Sequence, residues 1–240
     1  MSNGVLCFAH NNGKIDYLKQ AVFLAKRVKQ HLDLPTSVVT STPNDLTDED
    51  KIVFDNVIKV EDQNSNLKRY YNGTLHHHQL IFKNASRSES YDLTPYENTI
   101  VLDTDYIICN DSFTHCFSQQ KDFLIYEDAI DLCEWRKLPE FDYIKDTGIK
   151  FYWATCFYFK KTTETKIFFD FLKNIQANYS HYRKVYNLDK TFRNDHLFSI
   201  GIHMMNGFQT GDWAGHLPGK MYYSLDRDFV CSIENNYVKL

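Results

Sequence analysis

The stretch GVLCFAHNNGKIDYLKQAVFLAKRV, residues 4–28, passes from a short apolar run through a polar loop into a segment with a different period. The run over 4–10 is short, apolar and closed by polar residues and Gly13, which reads as a buried strand. From 15 to 32 the apolar residues at 17, 18, 21, 22, 24, 25, 28 and 32 line one face of a helix, with Lys19, Lys26 and Lys29 elsewhere. Pro35 stops that helix, TSVVTS (36–41) supplies the next strand, and Val57 to Val60 a third. Strand, helix, strand, helix or loop, and strand in this order predict an α/β fold: a mixed, mainly parallel central sheet flanked by helices.

The same reading extends along the chain. A helix is expected over 75–86, strands over 99–102, 106–109, 122–128 and 151–161, and helices over 163–186 and 192–207, the last closed by Gly207. The tail from 208 has little regular periodicity. No repeat, low-complexity tract or linker interrupts the 240 residues, so one domain is expected over 1–240, with a weak subdivision into 1–110 and 111–240.

The composition narrows the function. A net charge of −4 without any Lys/Arg run lacks the basic footprint of a general nucleic-acid binder, although a local basic groove stays open. The start has no basic segment leading into a long apolar stretch, and no window nears the ~18 apolar residues of a membrane span. Six cysteines without a C-x-x-C, most of them inside apolar runs, suit buried reduced thiols in the cytoplasm. Aromatics make up 15%, divided between core filling and cleft lining.

The chemistry concentrates in YENTIVLDTDYIICND, residues 96–111. Within an extended segment Asp103 and Asp105 point the same way, and two such carboxylates repel unless a cation neutralises them. Hard oxygen ligands suit Mn²⁺ or Mg²⁺ with phosphate oxygens in the open positions. The alternative is a polar turn or a salt-bridged pair. His76, His77 and His78, if helical, project 100° apart and cannot share an ion. Phosphate-loop, dinucleotide and nucleophile-elbow motifs are absent.

The pattern Y-E-N-T-I-V-L-D-T-D-Y-I-I resembles the D-x-D stretch of GT-A fold glycosyltransferases, particularly the glycogenin-like and galactosyltransferase-like members. The resemblance implies a nucleotide-binding half over 1–110 and an acceptor and sugar half over 111–240. It implies donor contacts from Ala9, His10, Asn11 and Asn12 at the end of the first strand, and from Asp103, Thr104 and Asp105. It also implies a basic residue reaching the phosphates or donor sugar: Lys83, with Arg87, Lys68 and Arg69 as rivals. GHLPGKMYY (215–223) is similar to the family's H-x-x-G-x-x-K-P-W segment, which makes His216 a third metal ligand beside Asp103 and Asp105, and Gly219 and Lys220 diphosphate contacts. Lys220 directly follows Gly219 here and the Pro-Trp is missing. Asn194 and Asp195, at the start of a late helix, are implied near the donor sugar and acceptor; their alternative role is helix capping.

The expected activity is transfer of a sugar from a nucleotide-diphosphate sugar, a UDP-sugar first, to an acceptor hydroxyl with retention. The rivals are a metal-dependent nucleotidyltransferase or phosphodiesterase, using further carboxylates such as Glu127 and Asp128, and a non-catalytic nucleotide-sugar-binding module.

Overall fold

A computed structural model describes residues 2–11, 15–61, 68–73, 76–81, 84–133, 142–188, 192–224 and 230–239. The elements in chain order are β1 (Asn3–Phe8), α1 (Tyr17–Leu32), β2 (Thr36–Thr40), α2 (Asp48–Lys51), β3 (Asn56–Lys59), β4 (Lys68–Gly73), β5 (His76–Ile81), α3 (Ser90–Leu93) and β6 (Asn98–Leu102). They continue with β7 (Phe123–Tyr126), β8 (Ala129–Asp131), β9 (Trp153–Lys160), α4 (Thr163–Ala177), α5 (Tyr179–Val185), α6 (Asn194–Met205), β10 (Gly215–His216), β11 (Met221–Tyr223), β12 (Ser232–Ile233) and β13 (Val238–Lys239).

The central sheet has seven strands in the order β10-β7-β9-β6-β1-β2-β3. β9 alone runs antiparallel, against β6 and β7, while the remaining neighbours pair parallel. This is the mixed, mainly parallel sheet that the alternation of the first 60 residues predicts. β1 and β6 sit at its centre, buried on both faces, so their sequences read as unbroken apolar runs. Ligands of such sheets bind beyond the carboxyl ends of the parallel strands. Here that edge carries the loops after β1 and β6.

Many of the phenylalanines belong to the core. Phe157 of β9 meets Phe198 of α6 at 4.7 Å between ring centroids, and Phe123 of β7 meets Phe168 of α4 at 4.6 Å. Gly201 allows α6 to lie this close to α4: a Cβ there would come within 2.7 Å of a Leu172 methyl carbon and 3.0 Å of the Phe168 ring. Gly201→Val is therefore expected to lower stability by about 2 kcal/mol in urea denaturation, the usual cost of overpacking a tight contact.

Three sequence expectations change. Residues 76–81 form β5, paired antiparallel with β4, and 84–89 form a 3-10 helix, where one helix over 75–86 is expected. A partner strand decides the state of so short a segment; the helical argument against a shared ion at His76–His78 lapses with it. Residues 106–109 form no strand. Both neighbours of β6 are already in place, and the chain leaves the sheet at a tight turn in which the Tyr106 N–H donates to the Asp103 carbonyl at 3.0 Å. The helix expected over 163–186 breaks at Asn178 (φ −106°, ψ 26°), whose side-chain amide donates back to the Asn174 carbonyl at 3.0 Å. Asparagine competes for the backbone in this way and ends α4.

All six cysteines are free; Cys7, Cys116 and Cys156 are buried, while Cys231 is exposed. No helix among the described residues is long and apolar enough to cross a membrane.

Candidate active site at the carboxyl edge of the sheet

The turn after β6 places its two aspartates in different environments. Asp103 is half-buried and forms an ion pair with the guanidinium of Arg87, itself 4% exposed. Asp105, next but one, is exposed, and no protein group pairs with it among the described residues. The expectation of an extended D-x-D with equivalent carboxylates gives way to a tight turn with one neutralised and one free acid. Between them Thr104 is buried, and its hydroxyl donates to Gln20 Oε1 of α1 at 3.1 Å.

Arg87 connects this turn to β9. Its second amino group donates to the Ala154 carbonyl, and the Asp103 N–H donates to the Thr155 carbonyl at 3.0 Å. The N–H of the same residue reaches α6: the Ala154 N–H donates to Asp195 Oδ1 at 3.0 Å, and Arg193 donates to Asp195 Oδ2 at 2.8 Å. The backbone of one residue, Ala154, thus links two ion pairs, Arg87–Asp103 and Arg193–Asp195.

Asp195 does not cap α6. The N-cap is Arg193, and Asn194, which is buried, and Asp195 occupy the first turn. Burial pushes the Asp195 carboxyl upward, but Arg193, the Ala154 N–H and His196 outweigh it and hold the group below its ordinary range. A carboxyl with a folded pKa below its unfolded one stabilises above the unfolded value and loses that contribution as pH falls through the folded value. The stability gap between the native chain and Asp195→Asn, measured by urea denaturation, should be about 2 kcal/mol at pH 7 and shrink only as pH falls below the ordinary carboxylate range, through the lowered folded pKa.

The loop after β1 lies at the same edge. Ala9 is buried and donates its N–H to the Val39 carbonyl at 2.9 Å, while His10 is buried with Nδ1 3.3 Å from Ser41 Oγ. Asn11 Oδ1 accepts from the Leu18 N–H at 3.2 Å, and Asp16 accepts from the Lys19 N–H at 3.0 Å, so both help to hold the start of α1. Asn12 and Lys83 lie outside the described residues. Of the basic rivals, Arg87 is found against Asp103, and the side chains of Lys68 and Arg69 lie outside the described ones.

The carboxyl-terminal residues are more distant. β10 sits three strand positions from β6, on the order of 14 Å across the sheet. His216 is exposed, packs edge-on against Tyr126 and has Nδ1 2.6 Å from the Leu217 carbonyl. Among the described residues no group of three or more His, Cys, Asp or Glu comes together to hold an ion. Asp103, Asp105 and His216 do not form such a group in this structure. The chain then turns back: Tyr126 donates its hydroxyl to the Pro218 carbonyl at 2.9 Å, and Thr155 Oγ1 lies 3.4 Å from Met221 Sδ. Gly219 has φ +81°, a left-handed conformation suited to glycine. Lys220 is exposed beside it.

Arg27 of α1 carries no signal in its own segment. It is buried, donating to the carbonyls of Ile108 (2.6 Å), Glu234 (3.0 Å) and Asn235 (2.8 Å). It ties the segment after the aspartates to the carboxyl-terminal hairpin. Its partners lie 81 and more residues away, which no local pattern encodes. Arg193 is likewise a finding of the structure.

No family model matches the chain, and no curated protein matches it significantly. Among solved structures it is similar to the glycosyltransferase GlyE of Streptococcus pneumoniae TIGR4, with 11% identity over 90% of this chain and 45% of that one and a TM-score of 0.49. It is also similar to the galactosyltransferase LgtC solved with donor and acceptor sugar analogs, with 13% identity over 83% of this chain and 70% of that one and a TM-score of 0.49. The chain spans less than half the length of GlyE.

Proposed function

We propose that the chain is a metal-dependent glycosyltransferase that moves a sugar from a nucleotide-diphosphate sugar, a UDP-sugar first among donors, to an acceptor hydroxyl with retention. The observation that carries this reading is the pair of acids at the carboxyl edge of a mainly parallel sheet, one held by Arg87 and the other free in solvent. Mg²⁺-type cations bind through one or two carboxylates and complete their shell with substrate phosphates and water. Asp105 and Asp103 fit that donor set without a third protein ligand; His216 is not needed for it. When bound, Mn²⁺ or Mg²⁺ supplies Lewis-acid stabilisation of the leaving diphosphate.

The chain's own residues supply the rest. Arg87 holds Asp103 in place and brings a cation beside the acids. Lys220, exposed next to the left-handed Gly219, adds positive charge for the diphosphate. Ala9, His10 and Asn11 form the wall against which the base and ribose lie. Asn194 and Asp195 face the sugar and acceptor from the first turn of α6, with Asp195 oriented by Arg193 and the Ala154 N–H. The free cysteines suit the reducing cytoplasm.

The nucleotidyltransferase and phosphodiesterase readings need further carboxylates for a second metal. Of their two candidates, Glu127 is paired with Lys150, while Asp128 is exposed. In a thermal-shift series with UDP and GDP, with and without Mn²⁺, one diphosphate is expected to stabilise the protein by several degrees only when the metal is present. Stabilisation by neither diphosphate sinks the proposal, and stabilisation without turnover of any nucleotide sugar favours the binding module.

A further inference from the structure

Two neighbouring concavities that share Asn206 form a broken groove from α6 to the start of β7. Between α6 and the loop over 142–152 lies a cavity of about 160 Å³, with Tyr143, His203 and Gln209 among its walls. A second concavity of about 390 Å³ lies against Trp213, Asp122 and Glu164, and the two meet at Asn206. From Ser199 to Asn206 the helix alone covers roughly 10 Å. The far end reaches the start of β7, the edge of the sheet opposite to Asp103.

Most charges along these walls are paired, which leaves Glu164 as the one unpaired acid among the described residues of the lining. Lys150 pairs with Glu127 and Lys121 with Asp212, while Lys160 and Asp122 are 3.3 Å apart. Burial lowers the pKa of His203, which keeps the ring neutral near pH 7. A phosphate-rich or otherwise anionic ligand therefore finds no unpaired cation among the described residues of the lining, and the polar lining suits a lipid tail poorly. What the groove offers is aromatic surface with carboxamides and one free acid. Tyr143 is 55% exposed and held by its bridge to Lys150. The half-buried Trp213 is stacked on Phe123 at 5.2 Å. Asn206 accepts the Trp213 N–H at 3.0 Å through Oδ1, leaving its amide nitrogen for a ligand, and Gln209 is exposed beside it.

The loop between is built to hold this shape. Gly207 and Phe208 both have positive φ, +69° and +61°. Such a conformation is costly for phenylalanine and is kept where the surroundings impose it. Gly211 leaves room for the Asn206 carboxamide, which a Cβ would meet at 2.4 Å.

We infer that this groove binds an uncharged saccharide chain, holding an oligosaccharide or polysaccharide acceptor at a distance from the site of transfer. The acceptor role rests on the glycosyltransferase reading; saccharide binding itself does not. The test uses the full chain without nucleotide or metal, titrated with α-1,4-glucan, β-1,4-glucan, β-1,4-mannan and β-1,4-xylan hexasaccharides and followed by calorimetry and saturation-transfer NMR. At least one is expected to bind, and Tyr143→Ala combined with Gln209→Ala should weaken it at least tenfold without moving the thermal midpoint, both side chains being exposed. Absence of binding across the four, or equal binding by the double variant, overturns the inference. Saccharide binding with no response to UDP or GDP and Mn²⁺ keeps the groove and removes only the transferase reading.

Discussion

Asp105→Asn is expected to reduce Mn²⁺-dependent turnover of the preferred nucleotide sugar by 10²-fold or more while leaving stability within about 0.5 kcal/mol of the native chain. The two halves of this result have separate causes. The carboxylate is exposed and supports no contact among the described residues, so an isosteric amide costs the fold nothing. The same amide loses the negative charge that a hard cation requires. Donor hydrolysis assayed across Mn²⁺ concentrations, beside urea denaturation, separates the two. Unchanged turnover would identify the turn as structural.

Arg87→Met is expected to act in the opposite way, removing about 3 kcal/mol of stability before any effect on chemistry. Arg87 is buried between Asp103 and the Ala154 carbonyl. Methionine preserves much of the volume but leaves a half-buried carboxylate without its cation and a carbonyl without its donor. Asp103 is 24% exposed, so water relieves part of this cost, which places the value at the lower end for a broken buried pair. Arg87→Lys should recover only part, because an ammonium does not provide the planar fork that reaches both partners. Chemical denaturation of the three proteins measures this order, and a methionine variant as stable as the native chain would contradict it.

These predictions separate two acids that the sequence presents as equivalents. Alternation along L-D-T-D-Y is a property of extended backbone, and it fails when the chain turns immediately after β6. Similarly, N-D at the start of α6 looks like a cap because Asn and Asp are good caps. The structure places Arg193 at that position and turns Asp195 towards the Ala154 N–H. In each case the residue type was legible, and its partner, tens of residues away, was not.

The local periods of the sequence determined the architecture: unbroken apolar runs became the central strands β1 and β6, and a helical stripe from 17 to 32 became α1. Those signals depend on which side of an element is buried, information that each segment carries itself. The position of the aspartates after a central strand also followed from sequence alone. Tertiary structure alone decided that residues 76–81 are a strand rather than a helix, that the chain turns directly after β6, and that Arg87 pairs with Asp103. Strand pairing and ion pairing are contacts between segments distant in sequence, and their free energy exists only once the sheet has brought those segments together.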